Sequence, residues 1–171
     1  MSKATSILAI GVAAVISASC ANNFPGGTAA QSPAAQRDYQ RLSGTWQLIR
    51  GVDNGKAVPA SEARNTILIT EHNTFRLPKA SRAGTSATGH FTINPDTSPK
   101  QVDSTAEGGP SAGQVSRGIY DIPDPTHQRE CFGPPGGPRP TEFKSTPGSG
   151  RILQIHVSLT HGAKFDARAA R

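Results

Sequence analysis

Aromatic residues are scarce in this chain: six Phe, two Tyr and one Trp, 5% of 171 residues. Hydrophobic residues reach only 35%, against the ~45–50% apolar share usual for soluble domains. Such a supply excludes a large or multiple core and leaves one modest domain with an appendage. Catalytic signatures are mostly missing too. There is no H-E-x-x-H, no C-x-x-C, and no glycine-rich phosphate loop followed by its lysine. Basic runs are also absent. The formal charge is +6, but Arg64, Arg76, Lys79, Arg117, Arg129, Arg139, Lys144 and Arg151 stand singly, and no basic run lies among the few aromatics. That scatter argues against nucleic acid as a partner and leaves only diffuse attraction to anionic surfaces.

Glycine (18) and proline (14) are plentiful. Together they argue against a helical bundle and for short strands joined by many turns.

The chain opens "MSKATSILAIGVAAVISASCANNFPGG". One cation, Lys3, precedes an apolar run from Ile7 to Ile16 and then small residues, the layout of a secretory signal peptide. The run is too short to span a bilayer. In "SASC", Cys20 follows small residues as the acylated cysteine of a bacterial lipoprotein does, although Ser17 stands where an aliphatic residue is favoured. Ordinary cleavage nearby, for instance after Ala21, is the alternative. These features predict an exported protein of the periplasm or cell envelope, with Cys20 as candidate lipidation site and a lipid tether to the membrane. With Cys20 acylated or removed, Cys131 has no disulfide partner and reads as a small buried hydrophobe.

The expected organisation is a signal peptide over 1–20, a flexible tether over 21–38, a β domain over 39–160 and a basic C-terminal tail over 161–171. "GTWQLIRGV" alternates, with Trp46 and Leu48 on one face. Asn54-Gly55 is a strong hairpin-turn signal, and "PASEAR" suits one or two helical turns. "NTILITE", "NTFRLP" and "TGHFTIN" are β-branched or aromatic runs between polar turns; "KQVDST" and "QVSRGIYDI" are weaker strands. In "RILQIHVSL", Leu153, Ile155, Val157 and Leu159 share one face and Gln154, His156 and Ser158 the other, predicting a solvent-exposed His156. The expectation is all-β: an eight-stranded antiparallel up-and-down barrel with a short helix after its first strand.

"LSGTWQLIRGVDNGKAVP", "GHFTINPDTSPKQVDST", "GIYDI" and "ECFGPPGGPRPTEFKSTPGSGRILQIHV" occur in this order. The order resembles that of a planctomycete paralogous family of small exported, lipocalin-like domains, largely without assigned function. The resemblance runs from Leu42 to Val157 and implies a lipocalin-like barrel. Gly44 and Trp46 would form its opening motif, with the indole closing one barrel end and Arg139 or Arg151 stacking on it. The chain departs from the family at "PDPTHQRECF", where two prolines and a polar run predict a frayed or edge strand and a partly open barrel.

"GPPGGPRPTEFKSTPGSG" reads as the barrel's long last connection, with Phe143 plugging the barrel end and Arg139 as its partner. Pro135 to Pro138 also has the PxxP spacing of a docking segment. His72, His90, His127, His156 and His161 are dispersed, and a His90–His156 pair falls short of the three or four ligands a metal needs. Glu130 and Glu142 read as surface or capping residues. No catalytic residue, cofactor or metal is expected, and the chain is not read as an enzyme. The functional expectation is a binding module for a small apolar ligand held in an internal cavity. The alternative is a structural or protein-interaction module of the cell envelope with a packed barrel.

Overall fold

The computed structural model describes residues 32–78, 87–108 and 111–160. They begin with helix α1 (Pro33–Leu42). The Ser32 hydroxyl accepts from the Ala35 amide at 3.1 Å, and Pro33 occupies the first turn, where a missing N–H costs nothing. Ala35, Asp38, Tyr39 and Leu42 are the buried positions, the i, i+3, i+4, i+7 stripe of an amphipathic helix. The expected tether over 21–38 is therefore corrected from Pro33 onward. That stripe is needed to close the barrel, so these residues belong to the folded domain.

The strands follow as a meander: β1 (Gly44–Asp53), β2 (Lys56–Ala57), β3 (Ile67–Glu71), β4 (Thr74–Leu77), β5 (Ala87–Asn94), β6 (Lys100–Ala106), β7 (Val115–Asp124), β8 (His127–Phe132) and β9 (Ile152–Ser158). A short helix, α2 (Ala60–Asn65), lies between β2 and β3. From β3 to β9 each strand pairs antiparallel with the next, and β9 closes on β1. The two-residue β2 pairs with β1 alone. The result is a closed eight-stranded lipocalin-like barrel of β1 and β3–β9. A register shift between Leu48 and Arg50 marks a bulge that turns β1 from its pairing with β3 to its pairing with β2. Asn54 (φ 47°) and Gly55 (φ 81°) make that hairpin turn, as their sequence predicts.

β8 is neither frayed nor at an edge: it pairs with β7 and with β9 along its length. The prolines of "PDPTHQRECF" fall outside it. Pro123 sits where the β7–β8 register slips and Pro125 in the turn, so neither removes a donor from a β8 ladder. The barrel is accordingly closed on this side.

Segment 133–151 does not plug a barrel end. It lies along the outer wall of β6 to β9. The Gly133 and Gly136 amides donate to the Arg117 and Val115 carbonyls. Arg139 then reaches across β6 and β7: Nη1 donates to the carbonyls of Val102 (3.0 Å) and Gly118 (2.6 Å), and Nη2 meets Asp103 at 2.7 Å. Phe143 lies under the Arg129 guanidinium, 3.9 Å from ring centroid to Cζ, and the Cys131 thiol donates to the Lys144 carbonyl. Ser145 and Arg151 join the segment to the β1–β2 turn through the amides of Gly55 and Asn54. Ile119, Cys131 and Pro140 are fully buried. Phe143 thus has Arg129 as its cationic partner, not Arg139, and the segment shields an outward-facing apolar patch that an uncovered barrel would leave in water.

Candidate functional site

Strand register fixes which side chains point inward, because facing residues share one side of the sheet. Trp46 faces Leu68 and Ser158; Leu48 faces His156; His156 faces Gln128; Gln154 faces Glu130; Val102 faces Gly118; Ser104 faces Ser116. The polar face of β9 is thus turned into the barrel. His156 is 1% exposed, which corrects the expectation that it points to solvent. The reason is segment 133–151: with the wall over β8 and β9 covered, the apolar face of β9 is sheltered on the outside.

The interior holds a cavity of about 290 Å³. One side is apolar, made by Leu68 on β3, Phe75 and Leu77 on β4, Phe91 on β5 and Val102 on β6. Leu42 of α1 lines the cavity at one end, and Phe132 and Ile152 do so at the other. Opposite the apolar side lie Ser104, Ser116, Glu130, Gln154 and His156. None of these five side chains hydrogen-bonds to another described residue. The Nδ1 of His156 and both amide atoms of neighbouring Gln128 are buried without a partner. Buried polar atoms are normally satisfied, and each exception calls for an account.

The electrostatics follow from enclosure. Glu130 keeps some accessible surface toward the cavity, yet its carboxyl is ringed by protein. Burial pushes its pKa up from 4.5 to about 7, because the charged form loses its water. Burial also lowers His156 from 6.5 to about 4 and keeps the imidazole neutral near neutral pH. The sequence expectation of Glu130 as a surface residue is corrected: it faces the cavity.

The α1 end is closed by a second polar group, which is fully partnered. The Asp38 carboxylate accepts from Lys100 Nζ at 2.6 Å and from the Tyr120 hydroxyl at 2.8 Å. The Tyr39 hydroxyl accepts from the Ile93 amide at 3.2 Å. Trp46 is fully buried, and its Nε1 donates to the Leu42 carbonyl at 2.8 Å; Thr70 donates to the same carbonyl. The indole therefore stands where α1 meets β1. Gly44 beside it has φ 148°, and a Cβ there would sit 2.6 Å from Thr160 Oγ1.

The other sequence candidates are dispersed. Arg139 is engaged on β6 and β7, and Arg151 lies 3.9 Å from Glu142 on the outer segment, so the expected stacking of either on Trp46 is replaced by these contacts. His90 is on the outside of β5, 3.7 Å from Glu107, and does not converge with His156. His127 pairs with Asp124 at the β7–β8 turn. Cys20 and His161 lie outside the described residues. No cluster of three or more metal-ligating side chains occurs among the described residues, and no helix among them is long and apolar enough to cross a membrane.

Sequence reasoning missed Glu130, Gln154 and Gln128. The available signal was the alternation of β9, with one apolar and one polar face, next to a connection long enough to cover the apolar one; β8, polar on both faces, carried no such signal. Comparison with protein families, with curated proteins and with solved structures found no match.

Proposed function

We propose that the barrel is a non-enzymatic binding module for a small, mostly apolar ligand with one polar end. The observation that carries this reading is the two-sided cavity. An apolar wall faces a row of polar groups without protein partners, and a ligand that supplies both surfaces would satisfy both. Cavities of ligand sites run from ~300 Å³ upward, so this one suits a compact molecule. At roughly 30 Å³ for a water-sized atom it holds about ten non-hydrogen atoms. The eight-stranded barrel is the size that just accommodates one small ligand.

Native mass spectrometry of the full chain from its own host tests the reading. A surplus mass that disappears on denaturation is expected, together with a rise in melting temperature on adding 1-octanol to emptied protein. A Ser116→Leu variant, which narrows the cavity, should keep its fold and lose the octanol response. An emptied barrel indifferent to octanol, with no surplus mass from the host, would overturn it.

Export and a lipid on Cys20 are part of the same proposal, supported by the sequence of the first twenty-odd residues. The mass of the denatured mature chain decides between a diacylglycerol-bearing cysteine and plain cleavage. A lipid anchor would hold the binding module at a membrane surface.

A further inference from the structure

Among the described residues, Glu130 is the one carboxylate lining the cavity, and no lysine or arginine side chain lines it. The basic groups nearest in the fold are occupied elsewhere. Lys100, inward on β6, is held by Asp38 at the α1 end, and Arg129, next to Glu130 in sequence, points outward to Asp121 and Phe143. On β7, Tyr120 lies opposite Glu130 in register, but its hydroxyl is donated to Asp38. On β9, Gln154 is opposite Glu130 and His156 lies one inward position further along. On β1, Asp53 is the inward acidic group, in register with Ile152.

A carboxyl in this position has lost its water and gained no counter-charge, and the neutral Gln154 amide opposite it in register brings no positive charge. What the group lacks is a donor carrying positive charge. We infer that the cavity selects a compact aliphatic amine, whose ammonium pairs with the Glu130 carboxylate while its tail lies against Leu68, Phe75 and Phe91. This rests on the cavity reading above and narrows it to a ligand class. An ammonium has three donors, enough for both Glu130 oxygens and the Gln154 carbonyl oxygen that faces Glu130 in register. The carboxylate is desolvated before the ligand arrives, so a cation gains the attraction at the cost of its own dehydration alone, and charge-assisted hydrogen bonds are the strong ones.

Protons compete with the amine for Glu130. Amine affinity should therefore fall as pH drops below the neutral range, while affinity for an uncharged ligand of the same shape stays flat. His156 charges only in more acidic solution, where it would add repulsion of the cation.

The test is calorimetric titration of the full chain, freed of bound ligand, with n-octylamine and 1-octanol at about pH 8 and about pH 5.5. Expected at the higher pH is an amine affinity at least ~10-fold above that of the alcohol, from one charge-assisted contact. At the lower pH the amine should weaken by ~30-fold, following one proton on a carboxyl that titrates at about 7, with the alcohol unchanged. Glu130→Gln should erase the difference and keep alcohol binding, and the wild-type pH series decides the matter even if that variant does not fold. Octanol binding as tightly as octylamine at both pH values would overturn the amine inference and leave the cavity reading standing. Failure of both probes to bind would overturn the two together.

Discussion

Gln128 on β8 and His156 on β9 face each other in register inside the barrel, each at most 1% exposed. Neither the Gln128 amide nor His156 Nδ1 has a hydrogen-bond partner. Two residues further along the same strands, Glu130 faces Gln154. This places a base that resists protonation and an acid that resists ionisation on neighbouring rungs of one ladder.

Their effects on stability oppose one another. Glu130 has its folded pKa raised from 4.5 to about 7, so its contribution is fully present below 4.5 and is lost as pH rises through 7. His156 has its folded pKa lowered from 6.5 to about 4, so its contribution is present above 6.5 and is lost as pH falls through 4. Between about 4.5 and 6.5 the two slopes cancel in the wild type. Single variants should unmask them. Glu130→Gln should lose stability from about pH 6.5 down to 4, and His156→Gln should lose it from about pH 4.5 up to 7, each by on the order of 2–3 kcal/mol. Urea titrations across this range measure both. Parallel pH profiles for wild type and both variants would mean that the barrel interior is wet enough to solvate the two groups.

Arg139 is the central fastening of the outer segment. Its guanidinium meets two carbonyls and the Asp103 carboxylate at once, which a lysine, a single point of charge, cannot reproduce. Arg139→Ala should cost about 2 kcal/mol and loosen residues 133–151, with Arg139→Lys recovering less than half. The Cys131 thiol supplies the local readout. It is buried with its pKa raised by burial, so native protein should react slowly with an aromatic disulfide reagent and the Arg139→Ala variant markedly faster. Equal rates in the two proteins would show that the segment is held without the arginine.

The barrel itself was legible in the sequence because short alternating runs and the Asn54-Gly55 turn report local geometry. What escaped was the direction of the alternation. A polar face is assigned to solvent by default, and in β9 the default fails because "GPPGGPRPTEF" supplies an external cover whose contacts are all long-range; β8 is polar on both faces and gives no direction at all. Pro140 is fully buried against strands it does not adjoin in sequence. Helix α1 was hidden for a related reason. "PAAQRDYQRL" is polar on average, and its stripe of Ala35, Asp38, Tyr39 and Leu42 becomes apolar burial only when Lys100 and Tyr120 arrive to satisfy Asp38.

That dependence makes Asp38 a point of failure. Its carboxylate is nearly buried, while Lys100 is about a third exposed. Removing it in Asp38→Ala strands the Tyr120 hydroxyl and leaves the lysine able to find water. The expected loss is about 2–3 kcal/mol, below the 3–5 of a fully buried broken pair. Amide exchange should accelerate first in Pro33–Leu42. A loss under about 1 kcal/mol with α1 still protected would show that apolar packing alone seats the helix.

Two interior aromatics lie over glycines in the adjacent strand. Phe75 is in register with Gly89 and Phe132 with Gly118. A Cβ on Gly89 would fall 2.5 Å from Phe75 Cε1 and also strike the Thr105 carbonyl oxygen; on Gly118 it would fall 2.5 Å from Phe132 Cδ1. Both phenyl rings line the cavity, so the glycines set where that lining stands. Gly118→Ala displaces a ring that has the cavity to move into, touches the Cys131 carbonyl oxygen only at 3.0 Å, and should cost about 1 kcal/mol while weakening octanol binding. Gly89→Ala overlaps backbone outright as well as a ring. A carbonyl in a paired strand cannot yield as a side chain does, so the cost should reach about 2–3 kcal/mol, the upper range for overpacking. Melting both variants with and without octanol separates the effects. Gly118→Ala should lose mainly the ligand-induced shift, and Gly89→Ala mainly the ligand-free melting temperature. The reverse ranking would mean that the β4–β5 wall is the pliant one and that the cavity is shaped from the β7–β8 side.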